Sequence, residues 1–108
     1  MVKDAFFVKQ NNLLCKVPFH TVLWIKTEGN YSVINTSKGE FTLKLSLKKV
    51  LEQLPSYYFM QIQRAFIISL HQVQDIDMTS NEVVIQGKRL PIGRNYREDL
   101  LSRLRILK

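Results

Sequence analysis

Two arginines, each placed directly after a short apolar stretch, are the residues of this chain best suited to recognition chemistry. Arg64 lies between Ile62 and the apolar run 66–68, and Arg94 follows the segment 90–93. Neighbours that prefer strands would hold each arginine on a rigid support. A guanidinium group presents a planar fork of donors that suits a phosphate, a carboxylate or a guanine edge. For Arg64 taken alone, a solvated arginine in an ordinary strand–turn–strand is the alternative.

The charge of the chain favours a polyanionic partner. Sixteen Lys and Arg residues oppose nine Asp and Glu residues, which gives a net charge of +7 in 108 residues. The charge is also uneven, because residues 75–82 contain only acidic charges and residues 88–108 are mainly basic. A docking face for DNA, RNA or an acidic membrane surface explains this polarity. The alternative is a basic surface without a special role.

Other classes of function lack support in the sequence. No apolar run reaches the roughly 18 residues of a membrane helix, and the N-terminus with Lys3 and Asp4 does not resemble a secretory signal. Cys15 is the single cysteine, which fits a reducing cytoplasm. His20 and His71 are isolated from each other, and no metal-ligand spacing, phosphate-binding loop or nucleophile–base motif is present. We therefore expect neither an enzyme nor a cofactor or metal site.

The hydrophobic pattern predicts a mainly β fold with several short antiparallel strands in small packed sheets. The length predicts one domain over residues 1–108. Ser46 is a good N-cap for one short mid-chain helix, which Pro55 should stop. A C-terminal helix is predicted from Arg94, with leucines recurring as far as Leu107. The strands are expected at 5–9, 13–17, 22–25, 31–36, 41–45, 73–77, 82–86 and 89–92, and on both sides of Arg64.

The two arginine segments together resemble the LytTR family, the all-β DNA-binding output domains of many bacterial two-component response regulators. The family pattern reads Phe-x-Arg-x-His-Arg-Ser-Tyr/Phe-Ile-Val-Asn, and later Leu-Pro-Val/Ile-Ser-Arg-x-Tyr. The matching stretches here are Phe59-Met-Gln-Ile-Gln-Arg64-Ala-Phe-Ile-Ile-Ser69 and Leu90-Pro-Ile-Gly-Arg94-Asn-Tyr96. The Glu-Gly-Asn-Tyr sequence that ends at Tyr31 is similar to the family as well. The resemblance thus covers most of the chain and implies a domain core at about residues 6–104.

The resemblance implies sequence-specific binding of double-stranded promoter DNA at direct repeats, through loops inserted in the major groove. It assigns base or backbone contacts to Asn30, Tyr31, Arg64 and Arg94. Further candidates are Asn95 and Arg97, and for phosphate contacts Lys38, Lys44, Lys48 and Lys49. It also implies a receiver domain in the full-length protein, a cognate histidine kinase, phosphorelay signal transduction and possible self-association on DNA.

Several positions depart from the family pattern. Gln61 and Gln63 stand where arginine and histidine are usual, Ala65 replaces a serine, and Ser69 replaces an asparagine. We expect these changes to affect base preference and affinity rather than the fold. Two other functions stay open: a β-rich protein-interaction or polyanion-binding module without base readout, and single-stranded RNA binding by exposed aromatic residues.

Overall fold

Short strands account for most of the secondary structure. The computed structural model describes residues 2–108, so the predicted domain boundary at Met1 lies outside the described residues. Within them the elements are β1 (Ala5–Gln10), β2 (Leu13–Pro18), β3 (Val22–Glu28), β4 (Tyr31–Thr36), β5 (Gly39–Leu43), α1 (Leu47–Glu52), β6 (Phe59–Gln63), β7 (Phe66–Ser69), β8 (Asp75–Asp77), β9 (Glu82–Ile85), β10 (Lys88–Pro91) and α2 (Arg97–Ser102). The predicted mainly β fold is confirmed.

The strands form three antiparallel sheets. The central sheet has five strands in the order β5-β4-β3-β7-β6, a second sheet has the order β10-β9-β8, and β1 and β2 form a separate hairpin. Within residues 2–108, no helix has both the length and the apolar character needed to cross a bilayer.

Both faces of the central sheet are buried, which explains the continuous apolar runs at residues 22–25 of β3 and 66–68 of β7. Successive side chains of a strand point to opposite faces. Accordingly, Ile67 packs in a cluster with the β1–β2 hairpin and α1, whereas Ile68 packs in a second cluster with the three-stranded sheet and α2. On β3, Ile25 and Trp24 divide between the same two clusters. The sheet is therefore held rigidly from both sides.

Local turn chemistry agrees with most of the predicted boundaries. Asn11 and Gly39 adopt the left-handed backbone that the hairpins β1–β2 and β4–β5 require, with φ of 57° and 127°. The side chain of Ser46 accepts a hydrogen bond from Lys49 N at 3.2 Å and caps α1 as predicted. The helix ends at Glu52, ahead of Pro55.

The C-terminal helix is shorter than predicted. Residues 94–96 form a 3-10 turn and α2 ends at Ser102, so the predicted continuation to Leu107 is wrong. Leu107 is 88% exposed and has no surface to pack against. At the helix end, Ser102 Oγ donates to the carbonyl oxygen of Asp99, and Arg103 donates to the Ser56 carbonyl and the Asp99 carboxylate. These contacts fix the end of the chain on the body without a further helical turn.

Candidate nucleic-acid interface

Three connecting segments meet at one end of the central sheet. They are the β3–β4 turn with Gly29 and Asn30, the β6–β7 turn with Arg64 and Ala65, and the segment 92–96 that follows β10. Thr27 N donates to the carbonyl oxygen of Ala65 at 3.0 Å, which joins the first two turns. Gly93 N donates to the carbonyl oxygen of Ile62 at 2.7 Å, which joins the third segment to β6. The three segments therefore form one continuous surface, which we call the loop face.

The β6–β7 turn is braced by two glutamines that depart from the family pattern. Gln61 Nε2 donates to the carbonyl oxygen of Arg64 at 3.2 Å, and Gln63 Nε2 donates to the carbonyl oxygen of Pro91 at 3.0 Å. Gln61 thus binds the backbone of the loop face itself, and Gln63 binds the last residue of β10, directly before the third segment. Gln63 in particular ties the Arg64 turn to the segment that carries Arg94.

Close packing at Gly93 completes this junction. A Cβ atom at this position would lie 2.8 Å from Cδ2 of Tyr96 and 3.3 Å from Cα of Gln63. Because such distances are shorter than ordinary van der Waals contact, only glycine lets the Tyr96 ring and the β6 backbone approach this closely. The backbone just before Arg94 is therefore fixed by its neighbours.

Asn81, in the β8–β9 turn, is a positioning residue, although the sequence pattern places it only between the predicted strands 73–77 and 82–86. Its Nδ2 donates to the carbonyl oxygen of Ile92 at 2.9 Å, and its own carbonyl accepts from Ile92 N at 2.9 Å. Its Oδ1 accepts from Arg97 Nη1 at 2.9 Å. Asn81 adopts a left-handed φ of 60°, which asparagine tolerates better than most residues. The one available signal was its place in a turn, and its partners lie 11 and 16 residues away.

The arginines divide into those with internal partners and those without. Arg89 forms ion pairs with Asp77 and Glu82, at 3.1 and 3.2 Å. Arg97 is held by Asn81 and by Sδ of Met78. Its predicted contact with DNA would therefore compete with a structural role.

Arg64 and Arg94 have no such engagement. Both side chains are exposed, and within residues 2–108 no hydrogen bond or ion pair occupies either guanidinium group. The backbone bond between Gly93 and Ile62 places both residues on the loop face. Two free planar donors supported by a rigid sheet are thus available at the same end of the molecule.

The charged side chains at the β8–β9 turn pair with groups of the same sheet and turn. Hydrogen bonds from Ser80 N, from Arg89 and from Thr79 N lower the pKa of Asp77 to about 2. Hydrogen bonds from Arg89 to the carboxylates of Asp77 and Glu82 raise the pKa of Arg89. These charges stabilise the turn that presents Asn81 and contribute little free charge to the surface.

The predicted phosphate-binding lysines do not all lie together. Lys44 follows Leu43, which pairs with Ser32 beside the β3–β4 turn. The Leu45 carbonyl accepts from Ser32 Oγ at 2.7 Å, so α1 also begins at this end, and Lys48 and Lys49 in its first turns are exposed.

Lys38 is separated from this group. It lies in the β4–β5 turn at the opposite end of the central sheet. The length of β4 between the two turns corresponds to roughly 17 Å. The structure therefore groups three of the four lysines near the loop face and leaves Lys38 apart.

The remaining candidates are accessible on the loop face. Asn30 is exposed beside Gly29, whose φ of 60° makes the tight turn. Tyr31 opens β4 and is 45% exposed. Asn95 is exposed next to Arg94. Each can reach a ligand without a change in the backbone.

The chain is similar to known DNA-binding proteins along most of its length. The model of the LytTR family, described as the LytTr DNA-binding domain, matches residues 12–105. Over 97 residues the chain is 25% identical to a sensory transduction protein LytR from Streptococcus mutans, covering 86% of this chain and 39% of that protein. It is 22% identical over 89 residues to a sensory transduction protein LytT from Bacillus subtilis, covering 79% and 37% respectively. The chain thus spans less than half the length of these relatives.

A solved structure has the same fold. It is the LytTr DNA-binding domain of a Bacillus cereus protein described as a methyl-accepting/DNA response regulator. The two structures agree with a TM-score of 0.78 and 23% sequence identity, covering 94% of this chain and 97% of the other.

Proposed function

The chain belongs to the LytTR family of DNA-binding domains, and from this premise we propose that it binds duplex DNA in a sequence-specific manner through the loop face. In this proposal Arg64 and Arg94 each contact a guanine edge in the major groove, and Asn30, Tyr31 and Asn95 make neighbouring base or backbone contacts. Lys44, Lys48 and Lys49 contact phosphates.

The observation that supports this proposal most strongly is the shared support of the two free arginines. The hydrogen bond from Gly93 to Ile62 and that from Gln63 to Pro91 tie their loops together. The β3–β4 and β6–β7 turns lie about two strand spacings apart, roughly 10 Å. A B-DNA major groove is about 12 Å wide, so loops at this separation suit a single duplex. Since the loops are fixed in advance, little conformational entropy is lost on binding.

We further propose that the chain acts as the output part of a longer two-component regulator in the cytoplasm. The relatives named sensory transduction proteins are more than twice as long as the region they share with this chain. A receiver domain that a histidine kinase phosphorylates would then control promoter binding, with two domains side by side on direct repeats.

The test is an Arg64→Ala and an Arg94→Ala variant, assayed on duplexes selected from a random DNA library by the wild-type chain. A bidentate contact with guanine contributes about 1–3 kcal/mol of discrimination, so each variant should bind its selected duplex at least about fivefold more weakly. Melting temperatures should not change, because neither side chain has an internal partner among the described residues.

Arg105→Ala is the matched control, because it removes the same charge elsewhere. Arg105 is exposed and lies beyond α2, near Arg103, which binds the Ser56 carbonyl at the opposite end of β6 from Arg64. If Arg64→Ala and Arg94→Ala lose no more affinity than Arg105→Ala, on selected and random duplexes alike, the chain is a polyanion binder without base readout. Lys48→Ala should weaken all sequences equally and reduce the salt slope by about one.

A further inference from the structure

An apolar groove lies between β1 and β5, away from any residue that the proposed DNA contact assigns to base reading. Residues 6–9 form one wall, residues 42–45 form the other, and the buried side chains of Ile34 and Val50 lie between them. The groove has a volume of about 420 Å³. A second concavity of about 650 Å³ shares Phe6 and Phe7 with it and extends to Tyr57.

Both walls of the groove are edge strands. Among the described residues, β1 pairs only with β2, and β5 pairs only with β4. The outer backbone N–H and C=O groups of each strand therefore have no strand partner. Open edges of this kind accept an added strand, whose main chain supplies hydrogen bonds and whose alternate side chains fill pockets.

The charge of the groove selects the occupant. The lining of the 420 Å³ groove contains no Asp or Glu, whereas the exposed lysines Lys9 and Lys44 stand one on each wall. The second concavity adds one charge of each sign, Lys3 and Glu52. Phe7 remains 50% exposed at the rim. A second copy of the chain is a poor occupant, because each copy carries a net charge of +7. An occupant that complements this surface carries carboxylates beside apolar side chains.

We propose that the groove docks an extended acidic segment of another protein, which adds as a β-strand alongside β1 and β5. Its apolar side chains face Ile34 and Val50, and its carboxylates face Lys9 and Lys44. This site includes none of the residues proposed to read bases, although one of its walls carries Lys44. Since Lys44 is also a candidate phosphate contact, an acidic strand in the groove would compete with DNA for that one side chain.

The probe is a blocked peptide of about eight residues that alternates valine and glutamate. Amide chemical shifts of the 15N-labelled chain should move in a saturable manner at residues 6–9 and 42–45 and stay unchanged at Arg64 and Arg94. Methylation of alternate peptide nitrogens, which removes the donors of the added strand, should weaken binding at least about tenfold.

Charge-reversal variants separate groove binding from general attraction. Lys9→Glu should weaken peptide binding about three- to tenfold, as expected for a surface ion pair turned into a repulsion. Lys16→Glu makes the same change in charge on β2, outside the groove lining, and should have less than about half that effect.

Three outcomes would overturn the proposal. The first is that the amide chemical shifts at the groove do not change in a saturable manner. Lys9 would then serve only to prevent unwanted strand pairing at the open edge of β1. The second is equal weakening by Lys9→Glu and Lys16→Glu, which indicates charge attraction alone. The third is a loss of DNA affinity in Lys9→Glu well beyond that in Lys16→Glu, which would assign the groove to the nucleic-acid surface.

Discussion

Replacing Asn81 with alanine should destabilise the domain and loosen the segment that carries Arg94. The change removes the 2.9 Å hydrogen bonds from Nδ2 to the Ile92 carbonyl and from Arg97 Nη1 to Oδ1. It also places alanine at a left-handed φ of 60°. We estimate about 1 kcal/mol for the neutral bond, about 1.5 for the charged one and about 1 for the backbone conformation. The free energy of unfolding should therefore fall by about 3.5 kcal/mol.

Asn11→Ala is the matched control for this prediction. Asn11 adopts nearly the same backbone conformation, with φ of 57°, and its side chain makes no hydrogen bond among the described residues. Its replacement should cost only the conformational part, about 1 kcal/mol. The difference between the two variants then measures the two side-chain bonds of Asn81.

Urea unfolding followed by the fluorescence of Trp24 is a suitable assay. Trp24 is the single tryptophan and packs in the same cluster as Ile92 and Leu90. For a domain of this size, about 3.5 kcal/mol corresponds to a decrease in Tm of roughly 15 °C. Amide exchange at Ile92 and Gly93 should accelerate in Asn81→Ala, and the affinity for a selected duplex should fall several-fold at temperatures where the variant is folded.

The reasoning is refuted if the two alanine variants lose the same stability within about 0.5 kcal/mol, the usual precision of such comparisons. It is also refuted if exchange at Ile92 is unchanged, because the brace would then not hold the segment. Loss of stability without loss of DNA affinity would instead separate the brace from the presentation of Arg94.

Three further changes test the packing and electrostatics of the domain. Ser69→Ala removes a fully buried hydroxyl without a hydrogen-bond partner among the described residues, so calorimetry should show equal stability or a gain of about 1 kcal/mol. Gly93→Ala should cost about 1–3 kcal/mol in urea unfolding, because its Cβ would lie 2.8 Å from the Tyr96 ring. Asp77 should titrate with a midpoint near 2 by carboxyl NMR. Since this folded-state pKa is depressed, the stabilisation is complete above the ordinary value of about 4 and is lost as the pH falls through about 2. Asp77→Asn should then approach wild-type stability as the pH falls over that range.

The strand framework was predictable because its signals are local. Apolar runs, the Asn11 turn and the Ser46 cap each depend on neighbouring residues, and they placed the hairpins and α1 correctly. The C-terminal helix shows where local signals fail. A leucine periodicity predicts one face of a helix, but a helix end also depends on what that face can pack against. Leu107 has no such surface, and Arg103 anchors the chain to a carbonyl 47 residues earlier.

The roles of the arginines could not be separated by sequence, because their partners are distant along the chain. Arg94 and Arg97 are three residues apart and look equivalent, yet only Arg97 meets Asn81, which the β8–β9 turn brings close from 16 residues away. Arg64 and Arg94 differ from Arg89 in the same respect, since no carboxylate pairs with either among the described residues. A guanidinium group without internal partners can offer its whole fork of donors to a guanine edge or a phosphate. The unpaired state of Arg64 and Arg94, rather than the surplus of basic residues, is therefore the stronger argument for a nucleic-acid contact at the loop face.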